Sequence, residues 1–220
     1  MLCLNWLKVL VIKSNMNKLW TFGDSNTAGH GCHSSDEYYE KYYKSGDGIW
    51  PVWLSDKLNV ELKNLGKNGS SNDTIIDTII DKWEKINSGD YVFIGMTHPH
   101  RFDVPINNHF ESIVHDFSKS KTENGLTNDE FETIINFQYY FADNILYKNR
   151  QIKRFEWIKK LLIQKGCEKV ILWNVQTDLK SLETIKDATK GQIVDYHLSF
   201  KSHKSLSEIF YKKYFEPELI

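Results

Sequence analysis

A serine near the amino end and a histidine near the carboxyl end have neighbours suited to nucleophilic chemistry. Ser25 follows Gly23 and Asp24 at the end of a short apolar run, and His197 follows Asp195 with one residue between them. A serine hydroxyl acts as a nucleophile when a base takes its proton, a third group orients that base, and N–H donors stabilise the oxyanion. A Gly-Asp-Ser triplet alone more often marks a turn or a helix N-cap, so the rest of the chain must support this chemistry.

Two further loops contain small and polar residues that could complete such a site. The stretch 64–72 reads Asn-Leu-Gly-Lys-Asn-Gly-Ser-Ser-Asn and includes Gly69 and Asn72. The next loop follows another apolar run and contains Thr97 and His98. Ligands of parallel α/β sheets bind at the carboxyl ends of the strands. If the apolar runs before these loops are neighbouring strands, the loops meet at one edge of a sheet.

Short apolar runs alternate with helical patterns along most of the chain. Strands are predicted at 19–22, 60–65, 91–94 and 170–173. Apolar residues at helical spacing predict helices at 50–58, 73–86 and 201–214. Strands that alternate with helices pair in parallel and are covered by helices on both faces. The sequence therefore predicts an α/β fold with three layers.

The length of 220 residues suits one domain with a core of ordinary size. The apolar stretch before Met16 is too short to span a membrane, and Met16 stands just ahead of the first strand. We therefore expect an extension at 1–16 and a single domain at 17–220. Within this domain, an insertion at about 97–150 is expected to be irregular at first and then helical, with a break near 147–150.

Charge and cysteine content exclude several classes of function. The formal net charge of −1 and the scattered basic residues argue against a nucleic-acid or membrane-surface partner. The cysteines, at 3, 32 and 167, are widely spaced and form neither a disulfide framework nor a zinc-binding pattern, so we expect no metal. The sequence has no recognisable signal peptide or membrane span. We expect a cytoplasmic protein, or a virion-associated one if it is viral, and make no prediction of its oligomeric state.

The order and placement of these segments resemble the sequence blocks of the SGNH, or GDSL-like, hydrolase superfamily. The first block, Gly-Asp-Ser-Asn-Thr at 23–27, is the most specific, and the loops with Gly69 and Thr97 and the segment ending at His197 follow in the family's order. The resemblance covers about 18–214 apart from the insertion. It implies a three-layer α/β/α sandwich with a parallel, flavodoxin-like sheet of about five strands, and no cofactor.

The resemblance implies a role for each residue that matches a family position. Ser25 is the nucleophile, and its backbone N–H is one oxyanion donor. Gly69 supplies a second backbone N–H, because only a side chain this small lets the acyl oxygen approach. His197 is the general base and then the general acid for the leaving group. Asp195 orients the histidine through the other ring nitrogen.

One departure from the family concerns the oxyanion donors. Thr97 stands where the family has an asparagine, and a hydroxyl has a shorter reach than a carboxamide. Three alternatives follow: Thr97 compensates, Asn72 or His98 contributes to oxyanion or substrate binding, or activity is reduced. The segment after Gly95 resembles a variant seen among phage-type members of the superfamily.

The second departure concerns the residue that orients the base. One residue separates Asp195 from His197, where the family more often has two, so Asp178 is a second candidate for this role. His203 lies at the start of the last predicted helix, and we expect it to be structural or to support the catalytic histidine from behind.

Several other groups have an ordinary structural interpretation beside a functional one. The insertion contains His98, His100, His109 and His115 with Asp103 and Asp116. A metal site is conceivable there, but no periodic pattern brings these residues together, so a loop surface is expected. The tyrosines at 38–43 and Trp50 are candidates either for substrate lining or for core packing. Core packing is expected for Trp20, Trp53, Trp83, Trp157 and Trp173.

The expected function is that of an esterase that hydrolyses short acyl esters through an acyl-serine intermediate. Its expected substrate is a small-molecule or carbohydrate ester, such as an O-acetyl group on a sugar. A first alternative is a binding or structural module on the same scaffold with weak or lost catalysis, which Thr97 motivates. A second alternative is a soluble acyltransferase that uses the same serine and passes the acyl group to a sugar.

Overall fold

The computed structural model describes residues 17–29, 48–99, 101–106, 109–113, 127–142, 145–174, 184–186 and 193–216. Several features predicted from the sequence lie outside these ranges, among them the extension at 1–16, the tyrosines at 38–43, and Asp178.

The secondary-structure elements are numbered in chain order. The strands are β1 Lys18–Gly23, β2 Glu61–Gly66, β3 Tyr91–Met96, β4 Phe102–Ile106, β5 His109–Ile113, β6 Lys169–Asn174, β7 Thr184–Lys186 and β8 Ile193–Leu198. The α-helices are α1 Ser25–Ala28, α2 Trp50–Leu58, α3 Asn72–Asp81, α4 Asn128–Ala142, α5 Ile145–Gln164 and α6 Phe200–Tyr214, and a 3₁₀ turn spans Trp83–Lys85. None of these described helices is long and apolar enough to cross a membrane.

Four strands form one parallel sheet in the described part of the chain, in the order β2–β1–β3–β6. At the carboxyl edge, Gly23 of β1 pairs with Gly66 of β2, and Ile94 of β3 pairs with Phe22 of β1. This strand order is the one found in doubly wound, flavodoxin-like sheets. The predicted α/β class is therefore confirmed, with four described strands in the sheet rather than about five.

Helices cover both faces of the sheet. Side chains alternate between the two faces along each strand, so each face has its own set of apolar residues for a helix to cover. On one face α3 and α5 pack through largely aliphatic residues, namely Ile75, Ile76, Ile79, Phe155, Ile158 and Leu162 against Trp20, Phe22, Val92 and Ile94. On the other face α2 and α6 form a more aromatic core, with Trp50, Leu54, Leu206 and Phe210 against Leu19, Phe93 and Trp173. The predicted three-layer sandwich is confirmed.

Local signals start the helices that flank the carboxyl edge of the sheet. Ser71 caps α3 by accepting a hydrogen bond from the Thr74 N–H at 3.0 Å, and Ser199 caps α6 by accepting from the Ser202 N–H at 3.2 Å. Pro51 stands in the first turn of α2, where its missing N–H is not needed. Both capped helices therefore begin directly after loops of this edge.

The insertion differs from the expectation in two respects. Its first part, expected to be irregular, forms an antiparallel hairpin of β4 and β5 in which Pro105 pairs with Phe110. Both strands of a two-stranded sheet are edge strands, and proline is tolerated at edges. The break predicted near 147–150 is wrong, because α5 runs from Ile145 to Gln164 without interruption.

The tryptophans divide between core and surface. Trp20 and Trp173 are buried as predicted, and Trp50 is fully buried, so core packing is the correct interpretation for Trp50. The prediction for Trp157 is wrong, because 62% of its surface is exposed. At 3.6 residues per turn, Trp157 lies on the side of α5 away from Phe155, which faces the sheet.

Candidate active site

Ser25 lies at the sharp turn between β1 and α1. β1 ends at Gly23, and Asp24 caps α1 by accepting a hydrogen bond from the Asn26 N–H at 3.0 Å. This turn makes Ser25 the first residue of α1, where only 3% of its surface is exposed. Ser25 therefore lies at the carboxyl edge of the sheet in a position largely shielded from water.

The end of β2 lies directly against α1. Gly66 permits this contact, because a Cβ there would stand 2.5 Å from the backbone nitrogen of Ala28. The Asn64 side chain also donates a hydrogen bond to the Thr27 carbonyl at 3.0 Å. In the loop that follows β2, Gly69 has a φ of 74°, a left-handed conformation that favours glycine. The strand end that leads into the loop with the predicted backbone donor is thus joined to α1.

The Asp24 carboxylate connects the three loops that follow β1, β2 and β3. It is 1% exposed, and it accepts hydrogen bonds from Thr97 Oγ1 at 2.8 Å and from Arg101 Nη1 at 3.2 Å. Arg101 Nη1 also donates to the Ser70 carbonyl at 3.4 Å. A buried carboxylate is unfavourable unless it is paired and hydrogen-bonded, and these contacts provide both conditions.

Asn72 binds the backbone of Thr97 in both directions. Its side-chain oxygen accepts from the Thr97 N–H at 2.9 Å, and its amide donates to the Thr97 carbonyl at 3.2 Å. The same amide donates to Gln151 Oε1 at 2.8 Å, and both Asn72 and Gln151 are buried. The carboxamide of Asn72 and the single hydroxyl proton of Thr97 are therefore engaged with protein groups. His98, directly after Thr97, is half-buried.

The end of β8 contacts the serine turn through the residue that follows the predicted base. The Leu198 N–H donates a hydrogen bond to the side-chain oxygen of Asn26 at 3.3 Å. Because Leu198 follows His197 and Asn26 follows Ser25, this bond joins the segments of the two predicted catalytic residues. Asp195 lies earlier on β8, and its side chain is outside the described part of the structure.

His203 is fully buried in α6, close to His197. Its Nδ1 accepts a hydrogen bond from the Trp50 N–H at 3.4 Å. Since a backbone N–H can only donate, the neutral ring of His203 has its proton on Nε2. Burial, and in smaller part the charge of His197, lower the pKa of His203 to about 3. A histidine that stays neutral at physiological pH fits the structural role expected for this residue.

Two residues of this polar network were not found from the sequence. Asp24 belonged to the first block, but no role had been assigned to its carboxylate. Gln151 lies 79 positions from Asn72 in the chain, so no local pattern could connect the two residues. The available signal was a polar side chain at helical spacing from Phe155 and Ile158, on the apolar face of α5.

The insertion residues considered as metal ligands are dispersed or undescribed. Asp103 accepts a hydrogen bond from Thr74 Oγ1 at 2.9 Å. His109 is the first residue of β5, and His100, His115 and Asp116 lie outside the described ranges. Within those ranges no group of three or more His, Cys, Asp or Glu side chains is arranged to hold a metal ion.

This chain is similar to several solved structures. No protein-family model matches the chain, and no curated protein matches it. A protein described as lipolytic and of the G-D-S-L family, from Desulfitobacterium hafniense DCB-2, is 15% identical, with 87% of this chain and 96% of that chain covered and a TM-score of 0.37. A member of the lipolytic protein G-D-S-L family from Veillonella parvula DSM 2008 is 13% identical, with 91% and 99% covered and a TM-score of 0.39.

A third similar structure is a family two carbohydrate esterase from Clostridium thermocellum in complex with cellohexaose. It is 14% identical, with 90% of this chain and 64% of that chain covered and a TM-score of 0.42. The first two structures are named for the family that the sequence blocks of this chain resemble.

Proposed function

We propose that this chain is a serine hydrolase of the SGNH kind that cleaves short acyl esters through an acyl-serine intermediate. The observation that carries the proposal is the hydrogen bond between Leu198 and Asn26, because it joins the segment of His197 to that of Ser25. A nucleophile and its base must come within hydrogen-bond reach, and this contact supports such an approach. The proposed substrate is a small-molecule or carbohydrate ester.

In the proposed mechanism, His197 takes the hydroxyl proton of Ser25 as Oγ attacks the carbonyl carbon of the ester. The backbone N–H groups of Ser25 and Gly69 donate to the resulting oxyanion. The intermediate collapses, and His197 returns the proton to the leaving alcohol. His197 then deprotonates a water molecule that attacks the acyl-serine, and it returns this proton to Ser25 Oγ as the bond to the acyl group breaks and the acid leaves. Asp195 orients the imidazole throughout.

The contacts of Thr97 bear on the three alternatives for its role. Its hydroxyl donates to Asp24, its backbone N–H donates to Asn72, and its carbonyl accepts from the Asn72 amide. This arrangement favours Thr97 as a residue that holds the loop, with the oxyanion bound by the two backbone donors. Loss of one oxyanion donor raises the barrier by about 3 kcal/mol, so we propose a slower enzyme of this type.

The proposal is tested by treating the wild type and Ser25→Ala with a fluorophosphonate probe, and by assaying both with p-nitrophenyl acetate and butyrate. We expect covalent labelling and turnover in the wild type and neither in Ser25→Ala. Ser88→Ala is the matched control, because Ser88 is an exposed serine in the turn before β3 and should label like the wild type. A folded wild type that is neither labelled nor active contradicts the hydrolase proposal.

The engaged hydroxyl of Thr97 also favours a second candidate, a binding module on this scaffold with weak or lost catalysis. Such a module would bind an acylated sugar equally well in the wild type and in Ser25→Ala. Calorimetric titration of both proteins with acetylated xylo- and cello-oligosaccharides distinguishes the two functions when it is combined with the labelling result.

A further inference from the structure

Arg101 lies between the two loops that contain the proposed oxyanion donors. Its Nη1 donates to Asp24 Oδ2 at 3.2 Å and to the Ser70 carbonyl at 3.4 Å. Asp24 directly precedes Ser25, and Ser70 directly follows Gly69. Arg101 Nη1 therefore forms a bridge that links the residue before Ser25 to the residue after Gly69.

Burial makes this ion pair stronger than one on the surface. The side chain of Arg101 is 14% exposed and that of Asp24 is 1% exposed, so water screens their attraction only weakly. The other hydrogen bonds of the Asp24 carboxylate come from the neutral donors Thr97 Oγ1 and the Asn26 N–H. Arg101 thus provides the positive charge that a buried carboxylate requires.

We propose that Arg101 is a positioning residue that sets the separation of the Ser25 and Gly69 backbone donors. The inference rests on the proposed hydrolase function. Both N–H groups must point at the same oxygen from about 3 Å, so the distance between the two loops decides whether the oxyanion is bound.

The test compares Arg101→Met, which removes the charge at similar length, with Arg101→Lys. A displacement of about 1 Å at a reacting centre lowers the rate roughly 100-fold, so we expect Arg101→Met to lower kcat and fluorophosphonate labelling by about that factor. KM should change less than about threefold, because Arg101 acts through the loops and not on the ground-state ester. A single nitrogen makes both contacts, so the lysine ammonium should restore most of the lost kcat.

Arg150→Met is the matched control, because Arg150 is exposed on α5 and should retain wild-type kinetics. Wild-type kcat in Arg101→Met would overturn the proposal. A raised KM with unchanged kcat would overturn it as well, since that result means direct substrate contact. The proposal also fails if Arg101→Lys is no better than Arg101→Met. If the methionine variant does not fold, Arg101→Gln takes its place with the same expectations.

Amide hydrogen exchange tests the bridge without any catalytic assay. The Ser25 and Gly69 amides should exchange faster in Arg101→Met than in the wild type, whereas amides in β6 should not change. If the wild type lacks activity but this exchange difference is present, the hydrolase proposal fails and the bridge stands. Unchanged exchange at both amides, in an active wild type, overturns the bridge alone.

Discussion

The two sides of the candidate site are held together by different kinds of interaction. The nucleophile side, comprising the loops of Ser25, Gly69 and Thr97, is held by buried polar contacts of Asp24, Arg101, Asn72 and Gln151. The base side, comprising the end of β8 and α6, has two buried hydrogen bonds, from the Leu198 and Trp50 N–H groups, and is held mainly by apolar packing of α6 against α2 and the sheet. Trp50 and Phe210, for example, meet edge to face with ring centroids 5.1 Å apart.

The difference between these sides follows from what each must position. Oxyanion donors must be placed within a few tenths of an ångström, and hydrogen bonds have the distance and angle preferences that achieve this. Apolar packing places a whole helix but tolerates changes of shape when volume is kept. Replacing a buried polar residue on the nucleophile side should therefore lower stability or activity strongly. A conservative apolar substitution on the base side should lower them only slightly.

The largest effect on stability is expected for Asn72→Leu, which keeps the side-chain volume but removes its hydrogen bonds. The Thr97 N–H, the Thr97 carbonyl and the Gln151 carboxamide would each lose a buried partner. An unsatisfied buried group costs about 1–3 kcal/mol, so the free energy of unfolding should fall by about 3 kcal/mol or more. Urea denaturation measures it.

Asn149→Leu is the control for that substitution, because Asn149 is exposed on α5. It should change the free energy of unfolding by less than about 0.5 kcal/mol. A loss below about 1 kcal/mol in Asn72→Leu would contradict the distinction between the two sides.

An intermediate effect is expected from the titration of His203 on the base side. The unfolded chain protonates this histidine below about pH 6.5, whereas the folded protein resists until about pH 3. The unfolded state binds more protons than the folded state in this window. The contribution of His203 to the free energy of unfolding is therefore fully present above pH 6.5 and is lost progressively as the pH falls. Each pH unit below 6.5 should cost about 1.4 kcal/mol of stability.

His203→Asn isolates the contribution of His203 to the pH dependence of stability, because the asparagine Oδ1 can accept from the Trp50 N–H and asparagine does not titrate. Urea denaturation of the wild type and the variant between pH 7 and pH 5 gives the two slopes. The wild type should be the steeper of the two, since all other titrating groups are shared. Parallel slopes would mean that His203 does not remain neutral in the fold.

The smallest effect is expected for Leu206→Met in the aromatic core of the base side. Leu206 is 1% exposed, but leucine and methionine have similar volumes, so the loss of stability should be about 1 kcal/mol. Turnover of p-nitrophenyl acetate should stay within about twofold of the wild type. Ile209→Met, at a half-exposed position of α6, provides the comparison on the same helix. A large drop in kcat in Leu206→Met would show that this side also needs atomic precision.

Most of the fold could be predicted because its signals are local. Continuous apolar runs predicted β1, β3 and β6, since strands that helices cover on both faces have apolar residues on both faces. The helix predicted at 50–58 coincides with α2, where Pro51 and the apolar spacing agree. Where local signals are weak the predictions were poorer: α3 ends at Asp81 and is followed by a 3₁₀ turn, rather than continuing to 86.

The candidate site was likewise predictable only in part. The sequence by itself predicted buried strands, each followed by a polar loop, because the positions of strands and loops follow from periodicity and residue type. Parallel pairing then places such loops at one edge of the sheet. The sequence also predicted Ser25, Gly69 and His197 as a set by their resemblance to a known pattern. Their roles remain predictions for the experiments above.

Only the tertiary structure decided how those segments are joined. The pairing of Asp24 with Arg101, the engagement of Thr97 and the partnership of Asn72 with Gln151 all link residues far apart in the chain. Such contacts depend on how helices and loops pack, and a charged or amide side chain has many equally plausible partners in a sequence. Burial reduces that ambiguity, because most polar groups withdrawn from water bond to a partner that the fold brings within reach.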